Sequence, residues 1–77
     1  MPTYREHWRK LSIDQKSTFL NKLINKFPEI SFSTSFNWLK PLAPTTPKKE
    51  VCEWISDYFK DEINEVFPFY KAKYEAN

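Results

Sequence analysis

The chain has 77 residues, 40% of them hydrophobic and 14 aromatic, enough for one small core with nothing left over to build a second. It contains no glycine, one cysteine and one histidine, which excludes a glycine-rich phosphate loop, a GxGxxG dinucleotide site, a nucleophile elbow, an internal disulfide and a Cys/His zinc site. The formal net charge of +2 is unevenly spread: residues 1–49 hold nine Lys/Arg against three acids, and residues 50–77 hold three Lys against seven acids.

In the first segment, Thr3 to about Lys10, Tyr4, Trp8 and Leu11 recur at helical spacing and predict a short helix laid across the core. Ser12-Ile13-Asp14-Gln15 then has the form of a capping box, in which the Ser12 hydroxyl and the Gln15 side chain satisfy each other's backbone amides. Behind it Phe19, Leu20, Leu23, Ile24 and Phe27 make one broad apolar stripe, with Lys16, Asn21, Lys22, Asn25 and Lys26 on the other side, and Pro28 stops the helix.

A third, short helix is expected from about Phe32 to Lys40, with Ser31 or Ser33 as N-cap and Pro41 forbidding continuation. On a helical wheel Phe32, Phe36 and Leu39 share its inner face, Trp38 sits at the flank, and Ser33, Thr34, Asn37 and Lys40 lie outward. After a proline-bounded loop, Thr46 is the expected N-cap of the last long helix and Pro47 its first residue. Val51, Trp54, Ile55, Tyr58, Phe59, Ile63 and Val66 keep the core spacing along that helix to Pro68. Residues 69–77 read either as a helical extension or as a frayed tail. Strict two-residue alternation is absent apart from the brief Ile30-Ser31-Phe32-Ser33 stretch, so the expected fold is all-α, a single compact domain of four to five helices spanning residues 1–77.

The inventory for catalysis is poor. His7 and Cys52 stand in a charged helix and beside the core stripe respectively, and a free cysteine there is a small hydrophobe; no catalytic residue is expected, and the chain reads as no enzyme. The acids Glu50, Glu53, Asp57 and Asp61 run along one side of the last helix, but no second cluster completes a cage, so neither metal nor other cofactor is expected. The start lacks a signal-type apolar stretch and no run reaches ~18 apolar residues, so the expected location is cytoplasmic, with no membrane partner.

A helix that enters the major groove needs one face holding it to the domain and an opposite face of short polar residues, with bases within reach of phosphate. Ser33, Thr34, Asn37 and Lys40 are such a set, at the electropositive end of the chain, where a polyanion is attracted. The run Ile30-Ser31-Phe32-Ser33-Thr34-Ser35-Phe36-Asn37-Trp38-Leu39-Lys40 resembles the recognition half of Cro/lambda-repressor-like helix-turn-helix domains, the XRE class, and Pro47, Val51, Ile55, Tyr58 and Phe59 stand in the register of that family's following helix. The resemblance covers about residues 12–60, with Pro28-Glu29 in the turn where the family usually has a small residue. It implies a transcriptional regulator that binds double-stranded DNA, with Ser33, Thr34, Ser35 and Asn37 facing the groove and Ser31, Lys40, Lys48 and Lys49 on phosphates.

Such modules pair over two half-sites, which makes a homodimer the expected state, and Tyr58, Phe67, Phe69, Tyr70 and Tyr74 are candidates for its surface or for the core. The alternative reading is a helical interaction module or phage-type inhibitor that offers Glu50, Glu53, Asp57 and Asp61 to a basic protein partner.

Overall fold

The computed structural model describes residues 3–39 and 46–75. Five α-helices follow one another, α1 (Tyr4–Lys10), α2 (Ile13–Lys26), α3 (Phe32–Asn37), α4 (Lys49–Phe59) and α5 (Ile63–Val66), before a closing π-helical turn at Lys71–Glu75. There is no strand among the described residues, and the protein is a small all-α domain. No helix among the described residues is long and apolar enough to cross a membrane.

The first three helices start where short side chains take up orphan backbone donors. Thr3 Oγ1 accepts from the Glu6 amide at 3.4 Å. At α2 the capping box is complete: the Gln15 amide donates to Ser12 Oγ at 3.1 Å and the Ser12 amide to Gln15 Oε1 at 2.8 Å. Ser31 Oγ accepts from the Thr34 amide at 3.2 Å and so begins α3.

The core is built around Phe19, which is fully buried on α2. Its ring meets Tyr4 and Trp8 of α1 at 6.1 Å, and Trp54, Tyr58 and Phe59 of α4 at 6.0, 5.1 and 5.2 Å. Edge and tilted aromatic pairs of this kind add about 0.5–1.5 kcal/mol each beyond the area they bury. Leu23, Val51, Ile55 and Val66 complete the buried centre. The two long helices thus face each other through one aromatic layer, and α1 lies over it.

In three places the structure departs from the expectation. The expected last helix, running unbroken to Pro68, is interrupted at Lys60, whose φ of 55° and ψ of 47° are left-handed. The Lys60 amide donates to the Asp57 carbonyl and the Asp61 amide to the Ser56 carbonyl at 3.2 and 3.1 Å, the paired bonds of a Schellman ending, here without the glycine that usually supplies it. The break folds α5 back, so that Val66, Phe67 and Tyr70 join the core. At the other end, α4 begins at Lys49 with Lys48 at the cap and not at Thr46-Pro47, because the Thr46 and Pro47 carbonyls are taken by Lys73, Cys52 and Tyr74.

The third departure concerns the face of α3. Phe32 and Phe36, expected inside, are 51% and 47% exposed, whereas Trp38, expected at the flank, is buried against Tyr4 at 6.0 Å. Ser35 is fully buried and donates its hydroxyl to the Phe32 carbonyl at 2.7 Å. A small residue whose hydroxyl is satisfied within its own turn lets the helix lie close to the core, and the Trp38 ring fills what remains. Helix α3 therefore ends at Asn37 and is turned so that Ser35 points inward.

Candidate functional site

The rotation of α3 decides which of its polar residues are available. Ser33, Thr34 and Asn37 are exposed. At about 100° per residue, Ser33 and Asn37 lie opposite the inward Ser35, with Thr34 and Phe36 on the two flanks. Ser35 is withdrawn from the surface altogether. Ser31 is exposed, but its hydroxyl is engaged with the Thr34 amide and lies 3.0 Å from the Thr34 hydroxyl. Lys40 lies outside the described residues.

On the Thr34 flank the helix borders a cavity of about 350 Å³ shared with the start of α4. Buried Ile30, Trp38, Pro47 and Val51 line it, together with Glu29, Thr34, Thr46 and Lys48 nearer the surface. Thr34 and Lys48 are thus brought to one groove from two different helices. Lys48 and Lys49 are exposed, and no side chain caps the first turn of α4, which leaves its leading amides and the positive end of the helix dipole beside them.

The wall of this groove is held from behind by the C-terminal turn. Tyr74 donates its hydroxyl to the Pro47 carbonyl at 2.6 Å and Lys73 its ammonium to the Thr46 carbonyl at 3.1 Å. The Cys52 thiol, fully buried, also donates to Pro47 at 3.4 Å. Burial pushes that thiol up to about 12, so it carries no thiolate at neutral pH. Cys52 and His7 do not pair, since each is engaged elsewhere.

The acidic strip is divided. Glu50, Glu53 and Asp57 are exposed along α4, but Asp61 lies beyond the helix end, where its Oδ1 accepts the Glu62 amide at 2.8 Å and its Oδ2 faces His7 Nε2 at 3.0 Å. The Glu62 amide bond first, and His7 second, hold the Asp61 carboxyl below its usual range. The His7 ring in turn stacks on Phe59 at 4.7 Å. Asp57 and Asp61 border a second, polar cavity of about 330 Å³ with Ser56, Lys60 and Glu62.

Of the residues considered for a pairing surface, Phe67 and Tyr70 are buried, Tyr58 and Tyr74 half-buried, and Phe69 alone is well exposed, at 55%. No group of three or more His, Cys, Asp or Glu among the described residues is placed to hold a metal ion. No family model, no curated protein and no solved structure matches this chain.

Sequence reasoning missed two features. The contact between His7 and Asp61 spans 54 residues and leaves no trace in local spacing. The outward rings of Phe32 and Phe36 were concealed by a helix too short to show its period.

Proposed function

We propose that this protein binds double-stranded DNA, presenting Ser33, Thr34 and Asn37 of α3 to the major groove and Lys48 and Lys49 to the flanking phosphates. The observation that carries this reading is the shared groove: Thr34 and Lys48 line one cavity, so a helix with short exposed polar side chains has cations and uncapped helix-start amides on its flank. Phosphate contacts position such a protein and base contacts specify the site. Asn37 is the residue able to pair bidentately with adenine, worth about 1–3 kcal/mol of discrimination. Lys40 and Ser31 belong to the phosphate set in this reading, and two copies would read two half-sites as a transcriptional regulator does.

The test is duplex binding at two salt concentrations, for the wild type and for a variant with Lys40, Lys48 and Lys49 all changed to Glu. The reading expects affinity that falls steeply with salt and is lost in the variant, each phosphate contact contributing roughly 0.9 to the logarithmic slope. Absence of duplex binding near about 50 mM salt overturns it.

One observation favours a second reading. Glu50, Glu53 and Asp57 are exposed on α4, and none takes part in an ion pair among the described residues. A basic protein partner would dock there, and substitution of these acids, not of Asn37, would then abolish binding.

A further inference from the structure

Two large rings on α3 face solvent, and neither is used by the duplex reading. Phe32 and Phe36 are 51% and 47% exposed, four residues apart, hence on the same flank of the helix. That flank lies about 200° around from Thr34, on the side turned toward α1. There Phe36 meets half-buried Trp8 edge-on at 5.9 Å, so three rings form one surface.

One cation stands at this surface and two more share the outer side of α1 with it. Lys16 Nζ stands 5.5 Å from the centre of the Trp8 ring. Arg5 and Arg9, both exposed, are each two residues from His7 and so lie on the opposite side of α1 from the contact with Asp61, with Trp8 three residues on from Arg5. None of these three cations is in an ion pair among the described residues. Exposed Ser33 stands three residues before Phe36 and so beside it on the helix surface.

We propose that Trp8, Phe32 and Phe36 form a stacking platform for unpaired bases of a single-stranded nucleic acid, with Arg5, Arg9 and Lys16 holding its phosphates. A base offers a flat π-face to each ring and a hydrogen-bonding edge to Ser33 beside Phe36, and its backbone supplies the anions that pair with the nearby cations. A second copy of this chain would bring like charges together across the patch. The acyl chains of a lipid surface would cover Ser33 without giving it a hydrogen-bond partner. The proposal does not rest on the duplex reading: it shares Ser33 with that reading but stands on the rings and on the cations of α1 and α2, where the duplex reading uses Thr34, Asn37 and the start of α4.

The experiment measures fluorescence anisotropy of a labelled oligothymidylate of roughly 16 nucleotides and of a duplex of the same length, at about 50 and 200 mM salt. The wild type is expected to bind the single strand with affinity that falls with salt. The Phe32→Leu/Phe36→Leu variant keeps apolar bulk but loses both π-faces, and is expected to bind the single strand at least about tenfold more weakly with an unchanged salt slope. The Arg5→Glu/Arg9→Glu variant is expected to lower the slope as well, while Lys48→Glu/Lys49→Glu weakens duplex binding more than single-strand binding. Circular dichroism checks that each variant is folded, and the Phe32→Ser and Phe36→Ser single variants repeat the test if the double one is not.

Single-strand binding within about twofold of wild type after loss of both rings overturns the platform. So does an absence of single-strand binding accompanied by binding to phosphatidylglycerol vesicles, or by a dimer that dissociates when the rings are removed. Ring-dependent single-strand binding without duplex binding leaves the platform standing and removes the duplex reading alone.

Discussion

The Tyr74 hydroxyl donates to the Pro47 carbonyl at 2.6 Å and so ties the last turn of the chain to the start of α4, 27 residues earlier. The same carbonyl accepts the Cys52 thiol, and Lys73 reaches the Thr46 carbonyl beside it. A proline has no backbone N–H, so Pro47 contributes only an acceptor here, and the C-terminal segment supplies its shortest hydrogen bond. The wall of the groove shared by Thr34 and Lys48 thus depends on a residue at the far end of the chain.

Removing that hydroxyl tests the tie. Tyr74→Phe keeps the ring against Tyr70 but leaves the Pro47 carbonyl with the weak thiol donor alone. The expected cost is about 1 kcal/mol of folding stability, read from the midpoint of urea unfolding at unchanged slope. In the duplex reading the variant also binds DNA more weakly, because the loosened segment carries Lys48.

Lys60 is the one non-glycine residue with positive φ among the described residues, and it sits where a Schellman ending favours glycine. A side chain in that region costs on the order of 1 kcal/mol, partly offset in a glycine variant by greater freedom of the unfolded chain. Lys60→Gly is therefore expected to raise stability by about 0.5 kcal/mol and the melting temperature by a few degrees. Lys60→Val, β-branched and unable to adopt this conformation cheaply, is expected to destabilise. Thermal unfolding followed by circular dichroism distinguishes the two.

The Tyr4 hydroxyl is buried with no hydrogen-bond partner among the described residues, and burial raises its ionisation above the ordinary tyrosine value. The ring stacks on Phe67 at 5.6 Å and packs on Phe19, Trp38 and Phe59, so the packing needs the ring alone. Tyr4→Phe is expected to leave the fold intact and to stabilise it by about 1 kcal/mol, because an unpaired polar group no longer has to be desolvated. A lower urea midpoint for this variant would show that the hydroxyl has a partner after all.

Asp61 carries a pH dependence whose sign is set by its carboxylate. Its folded-state value lies below the ordinary 3.8 because the ionised form accepts the Glu62 amide and faces His7. The unfolded chain binds the proton first as pH falls, so the stabilising contribution is fully present above the ordinary value and is lost as pH drops below it through the folded value. Asp61→Asn is expected to be less stable at neutral pH and to lose less on acidification below pH about 4 than the wild type does. Parallel acid titrations of the two proteins at fixed urea would read the difference, and identical curves would remove Asp61 from the acid transition.

Much of this architecture was legible from local spacing. The capping box at Ser12 and Gln15 and the apolar stripe of α2 depend on residues three or four apart, and the physics that forms them is equally local. The regular stripe of α4 placed Val51 and Ile55 in the core for the same reason. The break at Lys60 was not legible: without glycine in the chain, no residue marked a left-handed ending, and the apolar spacing runs on through Ile63 and Val66 as if the helix continued.

The sequence by itself determined the helical class, the start of α2 and the uneven charge, and narrowed the start of α3 to two serines, because composition and short-range spacing are sufficient for each. Tertiary packing decided which way α3 faces. Six residues make fewer than two turns, so its own pattern cannot choose between burying Phe32 and Phe36 and burying Ser35 with Trp38. The choice was made by the shape of the core, where the Trp38 ring meets Tyr4 and a serine lets the helix close in, and this sent two phenylalanines outward to lie near Trp8 and its cations.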